Sequence, residues 1–199
     1  MGMEVNVLLF DKFETLDAFG PVEILSQIKD FKINYISKDG AVVHSYQGFK
    51  VITEDIKSID KNGILVIPGG IGVRDLVNDT DFLNMLKHLA EESRFCLSIC
   101  TGSALLAKCG VLNNIKATSN KKALEWVKQT NENVIWIDKS RWVVDGKFYT
   151  SSGVSAGMDM ALGFVSDQFG KDKAYEISEF IEYIWNEDKS KDTFYNLGN

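Results

Sequence analysis

Three short apolar runs set the strongest constraint on what this chain can fold into. Each closes on a polar or glycine-rich turn. "EVNVLLF" (4–10) ends at Asp11 and leads into Leu16, Phe19, Ile24, Leu25 and Ile28, which recur at roughly helical spacing. "GILVIPGG" (63–70) precedes "DTDFLNMLKHLAEES" (79–93), where Phe82, Leu83, Leu86, Leu89 and Ala90 share one helical face. "RFCLSI" (94–99) runs into "CTGSALLAKCG", a short helix ending at Gly110. Strands this apolar must be buried on both faces. Their alternation with helices predicts an α/β fold, a mostly parallel sheet covered by helices on each side. A chain of 199 residues fits a single domain, 1–199. It buries roughly 70% of its extended surface, so it needs neither disulfides nor metal to fold.

The remaining elements follow from local pattern. "FKINYIS" (31–37) reads as a second strand and residues 41–55 as a hairpin-like excursion. Lys121 to Thr130 reads as a helix with Leu124 and Val127 inward. "NVIWI" (133–137) and "RWVVDGKFYTS" (141–151) read as strands, the latter folded at Asp145-Gly146. Helices are predicted over Ser155–Phe169 and 174–185, with Pro21 in the first turn of its own helix. From about residue 186 the chain is polar and expected to fray, with Phe194 and Tyr195 as the residues able to dock it.

Charge and composition remove several classes of function. The net charge is -6 and no basic block occurs, which argues against a nucleic-acid partner. No apolar run approaches the roughly 20 residues of a membrane helix, so no membrane partner is expected. The first residues lack a basic start and a long apolar stretch, so the expected location is cytoplasmic. Cys96, Cys100 and Cys109 are odd in number and clustered, unlike a secreted disulfide framework. No His/Cys/Asp/Glu spacing suggests a metal site.

In an open α/β sheet, ligands sit at the carboxyl ends of the strands. Asp11–Gly20, Pro68–Gly72 and Cys100 all fall there. Cys100 at a strand-to-helix turn is the candidate nucleophile, and the helix dipole behind it is expected to lower its pKa. Cys96 and Cys109 lie inside elements and read as structural. In "PGGIGVRD" (68–75), the N–H groups of Gly70 and Ile71 are candidates for an oxyanion site. Asp17, polar between Leu16 and Ala18, is the candidate carboxyl facing the thiol; Glu23 is a less favoured alternative. His44 and His88 both fall away from strand-end positions, so a Cys–His pair has no obvious base. A carboxylate is expected to carry the proton instead.

Taken together, "LDAFGP" (16–21), "IPGGIG" (67–72), "ICTGS" (99–103) and "TSSGVSAGMDMAL" (150–162) resemble the DJ-1/PfpI superfamily. Within it, they are most similar to the isocyanide hydratase branch and to the amidase-like domains of certain AraC-type regulators. The resemblance implies a flavodoxin-like three-layer sandwich with a nucleophile elbow, usually homodimeric. It implies Cys100 as nucleophile, Asp17 beside it, Thr101 as the elbow neighbour, and Gly70 and Ile71 in the oxyanion loop. The apolar "FGPVEIL" (19–25) lends further support to a dimer. The sequence departs from the hydratase pattern at "ATSNKKALEW" (117–126), where Ser119, Asn120 and Lys121 replace a histidine and an aromatic residue. It departs from the proteolytic branch in having Thr101 after the cysteine, and Ser98 stands where many relatives carry glycine.

The leading expectation is therefore a cofactor-free, cysteine-dependent enzyme that converts a small electrophile, an isocyanide, to an N-substituted formamide. The loops near Asn120 and Ser151 are expected to shape its substrate pocket. Glyoxalase III- or deglycase-like chemistry on small dicarbonyls is the alternative activity. A non-enzymatic, cysteine-based sensor of oxidative stress or a chaperone-like role is the alternative outside catalysis.

Overall fold

A computed structural model describes residues 2–198. The strands are β1 (Met3–Leu8), β2 (Phe31–Ser37), β3 (Val42–His44), β4 (Lys50–Ile52), β5 (Glu54–Asp55), β6 (Ile64–Ile67), β7 (Phe95–Ser98), β8 (Lys116–Ala117), β9 (Ile135–Trp136), β10 (Trp142–Asp145) and β11 (Phe148–Ser151). The helices are α1 (Thr15–Leu25), α2 (Val73–Leu76), α3 (Thr80–Glu92), α4 (Gly102–Lys108), α5 (Leu124–Lys128), α6 (Ala156–Phe169) and α7 (Lys171–Phe180).

Seven strands form the central sheet in the order β10-β11-β7-β6-β1-β2-β5. All neighbouring pairs are parallel except the β10–β11 hairpin. Its turn has Gly146 at φ 56°, the left-handed backbone that the Asp-Gly pair signals. The four residues of β6 are all buried, as a strand covered on both faces requires. From β1 the chain moves one way along the sheet through α1. From β6 it moves the other way through α2 and α3. Because such crossovers are right-handed, α1 and α3 lie on opposite faces. Helices α6 and α7 join α1; α4 and α5 join α3. The result is the parallel sheet covered on both faces that the strand pattern predicts, in the flavodoxin-like three-layer form that the family resemblance implies. Among the described residues no helix is long and apolar enough to cross a membrane.

Helix α3 starts where its cap predicts: Asp79 accepts a hydrogen bond from the Phe82 N–H at 2.9 Å. Its buried face is Phe82, Leu86, Leu89 and Ala90, with Leu83 at the margin.

Four expectations need correcting. Pro21 sits in the interior of α1, not its first turn. Strand β9 leaves the central sheet and pairs with β8 in a separate two-stranded sheet. In "FGPVEIL", Gly20, Pro21, Val22, Ile24 and Leu25 are buried against the chain's own core, so that apolar excess says nothing about a partner. The segment after residue 186 is not frayed where described. Arg141 N–H donates to the Lys189 carbonyl at 2.9 Å and Asp192 N–H to the Lys139 carbonyl at 2.6 Å, and Asp192 is buried. Residue 199 lies outside the described residues.

Candidate active site

The chain leaves β1 and β6 toward opposite faces, which opens a crevice at their carboxyl ends. Cys100 enters it just past the end of β7. Its φ of 56° is left-handed, a conformation that costs a residue with a side chain about 1–3 kcal/mol unless its surroundings enforce it. Here they do. Ile99 N–H donates to the Ile67 carbonyl and Gly102 N–H to the Ile99 carbonyl, both at 2.9 Å. The Ser119 and Ser103 hydroxyls both donate to the Cys100 carbonyl, at 2.8 and 3.3 Å. This elbow places Cys100 in the wall of a pocket of about 230 Å³, shared with Glu14, Gly70, Ile71, Arg74, Thr101, Asn120 and Val154.

Asp17 comes from α1 and is fully buried. Its Oδ2 accepts the Gly69 N–H at 2.9 Å. Its Oδ1 has no N–H or O–H donor among the described residues, and the carboxyl lies beside the Cys100 thiol. Pro21, four residues on, has no N–H, so the Asp17 carbonyl also lacks its usual helical donor. Burial pushes the Asp17 carboxyl up to about 8. The Gly69 N–H opposes that rise, the nearby Glu14 carboxylate adds to it, and the Cys100 contact offsets part of it.

Cys100 itself departs from expectation. Burial, and next the neighbouring Asp17, push its thiol well above the ordinary cysteine value. The Thr101 N–H, the Asn120 amide and the Thr101 hydroxyl favour the thiolate but do not prevail. The lowering expected from the helix N-terminus gives way to the desolvation of a buried thiol. Burial thus favours the neutral form of both groups. Burial also pushes Cys96 up to about 12 and Cys109 up to about 11. Their thiols donate to the Ala90 and Leu106 carbonyls, as structural cysteines do.

The anticipated oxyanion site is narrower than the sequence suggests. Gly70 N–H is already engaged, donating to Thr101 Oγ1 at 3.1 Å. Ile71 N–H is not free either: the antiparallel bridge between Phe13 and Gly70 turns it toward the Lys12 carbonyl. Asn120 lines the pocket. Ser151 does not: it is fully buried at the end of β11, and Val154 of the following loop takes the place expected of it. No histidine lines the pocket; His44 and His88 are both exposed elsewhere. Glu23 is exposed and away from the pocket. Lys121 does not replace the histidine of the hydratase pattern. Its Nζ donates to Thr118 Oγ1 at 2.9 Å and the Ser140 carbonyl at 2.7 Å, and burial brings it down to about 8.

The family model described as "DJ-1/PfpI family" matches residues 3–167. The chain belongs to the DJ-1/PfpI family. It is 29% identical over 187 residues to isonitrile hydratase of Pseudomonas putida, covering 92% of this chain and 79% of that one. It is 24% identical over 189 residues to the HTH-type transcriptional regulator GbdR of Pseudomonas aeruginosa, covering 90% of this chain and half of the regulator. A THiJ/PfpI family protein from Pseudomonas syringae has the same fold, with a TM-score of 0.85 at 22% identity over 94% of this chain and 77% of that one. Membership thus spans proteins named as an enzyme and as a regulator of transcription.

Sequence reasoning passed over three residues at this DJ-1/PfpI pocket. Glu14 immediately precedes α1, Arg74 follows the glycine loop, and Val154 follows β11. Only Glu14 carried a signal, as an acidic residue just ahead of a predicted helix. Gly69 is a fourth residue of consequence. A Cβ there would lie 2.6 Å from both the N and Oγ1 of Thr101, and 2.9 Å from Asp17 Oδ2. Gly69→Ala is accordingly expected to displace both partners of Cys100 and to cost about 1–3 kcal/mol. Urea unfolding measures the stability change. A variant as stable as the parent would show that the loop relaxes without disturbing Asp17.

Proposed function

We propose that the protein is a cysteine-dependent isocyanide hydratase. The observation that carries this reading is a fully buried carboxyl, Asp17, beside an elbow thiol in a pocket without histidine. The likeness to the Pseudomonas putida isonitrile hydratase supports it. An isocyanide needs a proton and a nucleophile delivered to the same terminal carbon. Asp17 gives its proton to that carbon while the sulfur of Cys100 bonds to it. The thiol proton passes to the Asp17 carboxylate, leaving the thioimidate Cys100–S–CH=N–R. Water then adds to the CH carbon and the nitrogen takes a proton. Collapse breaks the C–S bond, re-forms the thiol and releases R–NH–CHO. The sum is R–NC plus water giving the formamide. The Asn120 amide, in the pocket wall, holds the oxygen of the tetrahedral intermediate.

Incubation with a neutral alkyl or aryl isocyanide, following N-formamide by chromatography, tests the reading. A parallel arm with methylglyoxal follows lactate. Formamide production supports the hydratase; lactate alone transfers the assignment to dicarbonyl chemistry. The absence of both products argues for a non-catalytic, ligand-binding role, as regulators in the family suggest.

The acid role fixes the direction of the pH dependence. Asp17 can donate only while protonated, and burial holds it so up to about 8. The kcat/KM for an isocyanide, which reports the free enzyme's groups, is expected to be flat below that value and to fall above it. A rate that rises through the same region would mean that thiolate formation limits the reaction and that Asp17 is not the acid.

A further inference from the structure

We infer that the site is built for a substrate carrying an anionic substituent, a carboxylate, which Arg74 receives at the pocket wall opposite the reacting carbon. The inference rests on the reading of Cys100 as the attacking residue. Arg74 lies in α2, just beyond the Gly70–Gly72 loop, and lines the same pocket as Cys100. Its guanidinium carbon is 3.6 Å from the centroid of the Trp126 ring on α5. Stacking of this kind fixes the plane of the guanidinium while leaving its N–H edge open to a planar anion. Among the described residues, no carboxylate pairs with that edge and no oxygen accepts from it.

The surroundings favour the same chemistry. Beyond Arg74 the pocket adjoins a groove of about 270 Å³ lined also by Asn78, Lys108, Trp126, Gln129 and Thr130. That lining holds two cations and no acid, in a chain whose net charge is -6. The one carboxylate in the Cys100 pocket wall is Glu14, and it already accepts the Gln47 side-chain amide at 2.6 Å. Asp17 is fully buried beside the thiol and does not line the pocket. An arginine free of acidic partners, stacked in place and sharing a pocket with an elbow cysteine, is a recognition group for the far end of a substrate.

Two iodoacetamide reagents test this without relying on turnover. One bears a carboxyalkyl arm and the other the methyl ester of the same arm. Each alkylation rate at Cys100, followed by mass spectrometry, is divided by the rate with a small neutral thiol. The anionic reagent is expected to be favoured by roughly fivefold in the parent, in keeping with a solvent-accessible charge-assisted contact. The preference should vanish in Arg74→Gln, persist in part in Arg74→Lys, and shrink with added salt. Arg74 is exposed, so these variants should keep the fold, which circular dichroism verifies. Equal rates in the parent, or an undiminished preference in Arg74→Gln, overturn the inference. Because the raised Cys100 thiol reacts slowly, the rates are compared over hours in alkaline buffer; labelling of Cys96 or Cys109 in place of Cys100 with both reagents also overturns the inference. Failure of the neutral isocyanide assay leaves this result standing, so the two readings fail separately.

Discussion

Replacing Asp17 by asparagine is expected to lower isocyanide turnover by about 100-fold or more while the protein stays folded. Cys100→Ala should remove turnover entirely. The two losses have different origins. Without Cys100 no bond to carbon forms. Without the Asp17 carboxyl the thiol remains, but the terminal carbon has no acid beside it, and no histidine lines the pocket to supply one. Asparagine still offers an oxygen to the Gly69 N–H, so the loop at Gly69 keeps its anchor. Stability separates a chemical effect from a folding one. A buried acid with a raised pKa binds its proton in the native state where the unfolded chain releases it. Its contribution is therefore fully present below the ordinary aspartate value of 3.8 and is lost as pH rises through about 8. Asp17→Asn removes that loss, so the variant should be at least as stable as the parent in alkaline buffer. Parental turnover in Asp17→Asn would refute the acid role. Low turnover accompanied by lower alkaline stability would mean that the substitution disturbs the fold.

What the sequence made legible divides along a physical line. The long central strands were readable because continuous apolar runs such as Ile64–Ile67 have one low-energy environment, whereas the two-residue β8 gave no such signal. The elbow was readable because "FCLSICTGS" takes a buried apolar strand into a polar, glycine-containing turn just before a new apolar pattern. Asp17 was readable as a polar residue on a face whose neighbours are apolar. The pKa of Cys100 was not, because it follows from burial and from a carboxyl 83 positions earlier, neither of which is local. Engagement of Gly70 N–H by Thr101 Oγ1 likewise joins residues 31 apart. Ser151 and Val154 exchanged roles because the fully buried end of β11 turns its hydroxyl inward and gives the pocket to the next loop. The polar tail read as solvated because polarity alone does not reveal a buried partner. Its Asp192 lies 3.9 Å from the guanidinium of Arg141, itself almost wholly buried.

That guanidinium leads to the largest stability effect expected. Asp159→Ala should destabilise the protein by about 3–5 kcal/mol, the usual consequence of stripping one partner from a buried ion pair. Asp159 sits in "AGMDMAL", an apolar helical stretch that gave no hint of its part. It is fully buried in α6, and its Oδ2 accepts from Arg141 Nε. Its Oδ1 accepts from the Tyr183 hydroxyl at 3.0 Å and the Asn186 N–H at 2.9 Å. One carboxylate thus ties the start of β10, the first turn of α6 and the chain beyond α7. Removing it leaves the Arg141 charge buried with only the more distant Asp192 for compensation. It also leaves the Tyr183 and Asn186 donors without their acceptor. Thermal unfolding should shift down by roughly 10 °C for a chain of this size. Limited proteolysis should cut first within residues 183–192, where the lost hydrogen bonds held the backbone. The double variant Arg141→Met/Asp159→Leu distinguishes the cause. If unpaired charge dominates, the double variant recovers much of the loss, because neither ion remains to be desolvated. If it is as unstable as Asp159→Ala, the hydrogen bonds to Tyr183 and Asn186 carry the effect instead. A loss in Asp159→Ala smaller than about 1 kcal/mol, the range of an exposed pair, would refute the buried-pair account altogether.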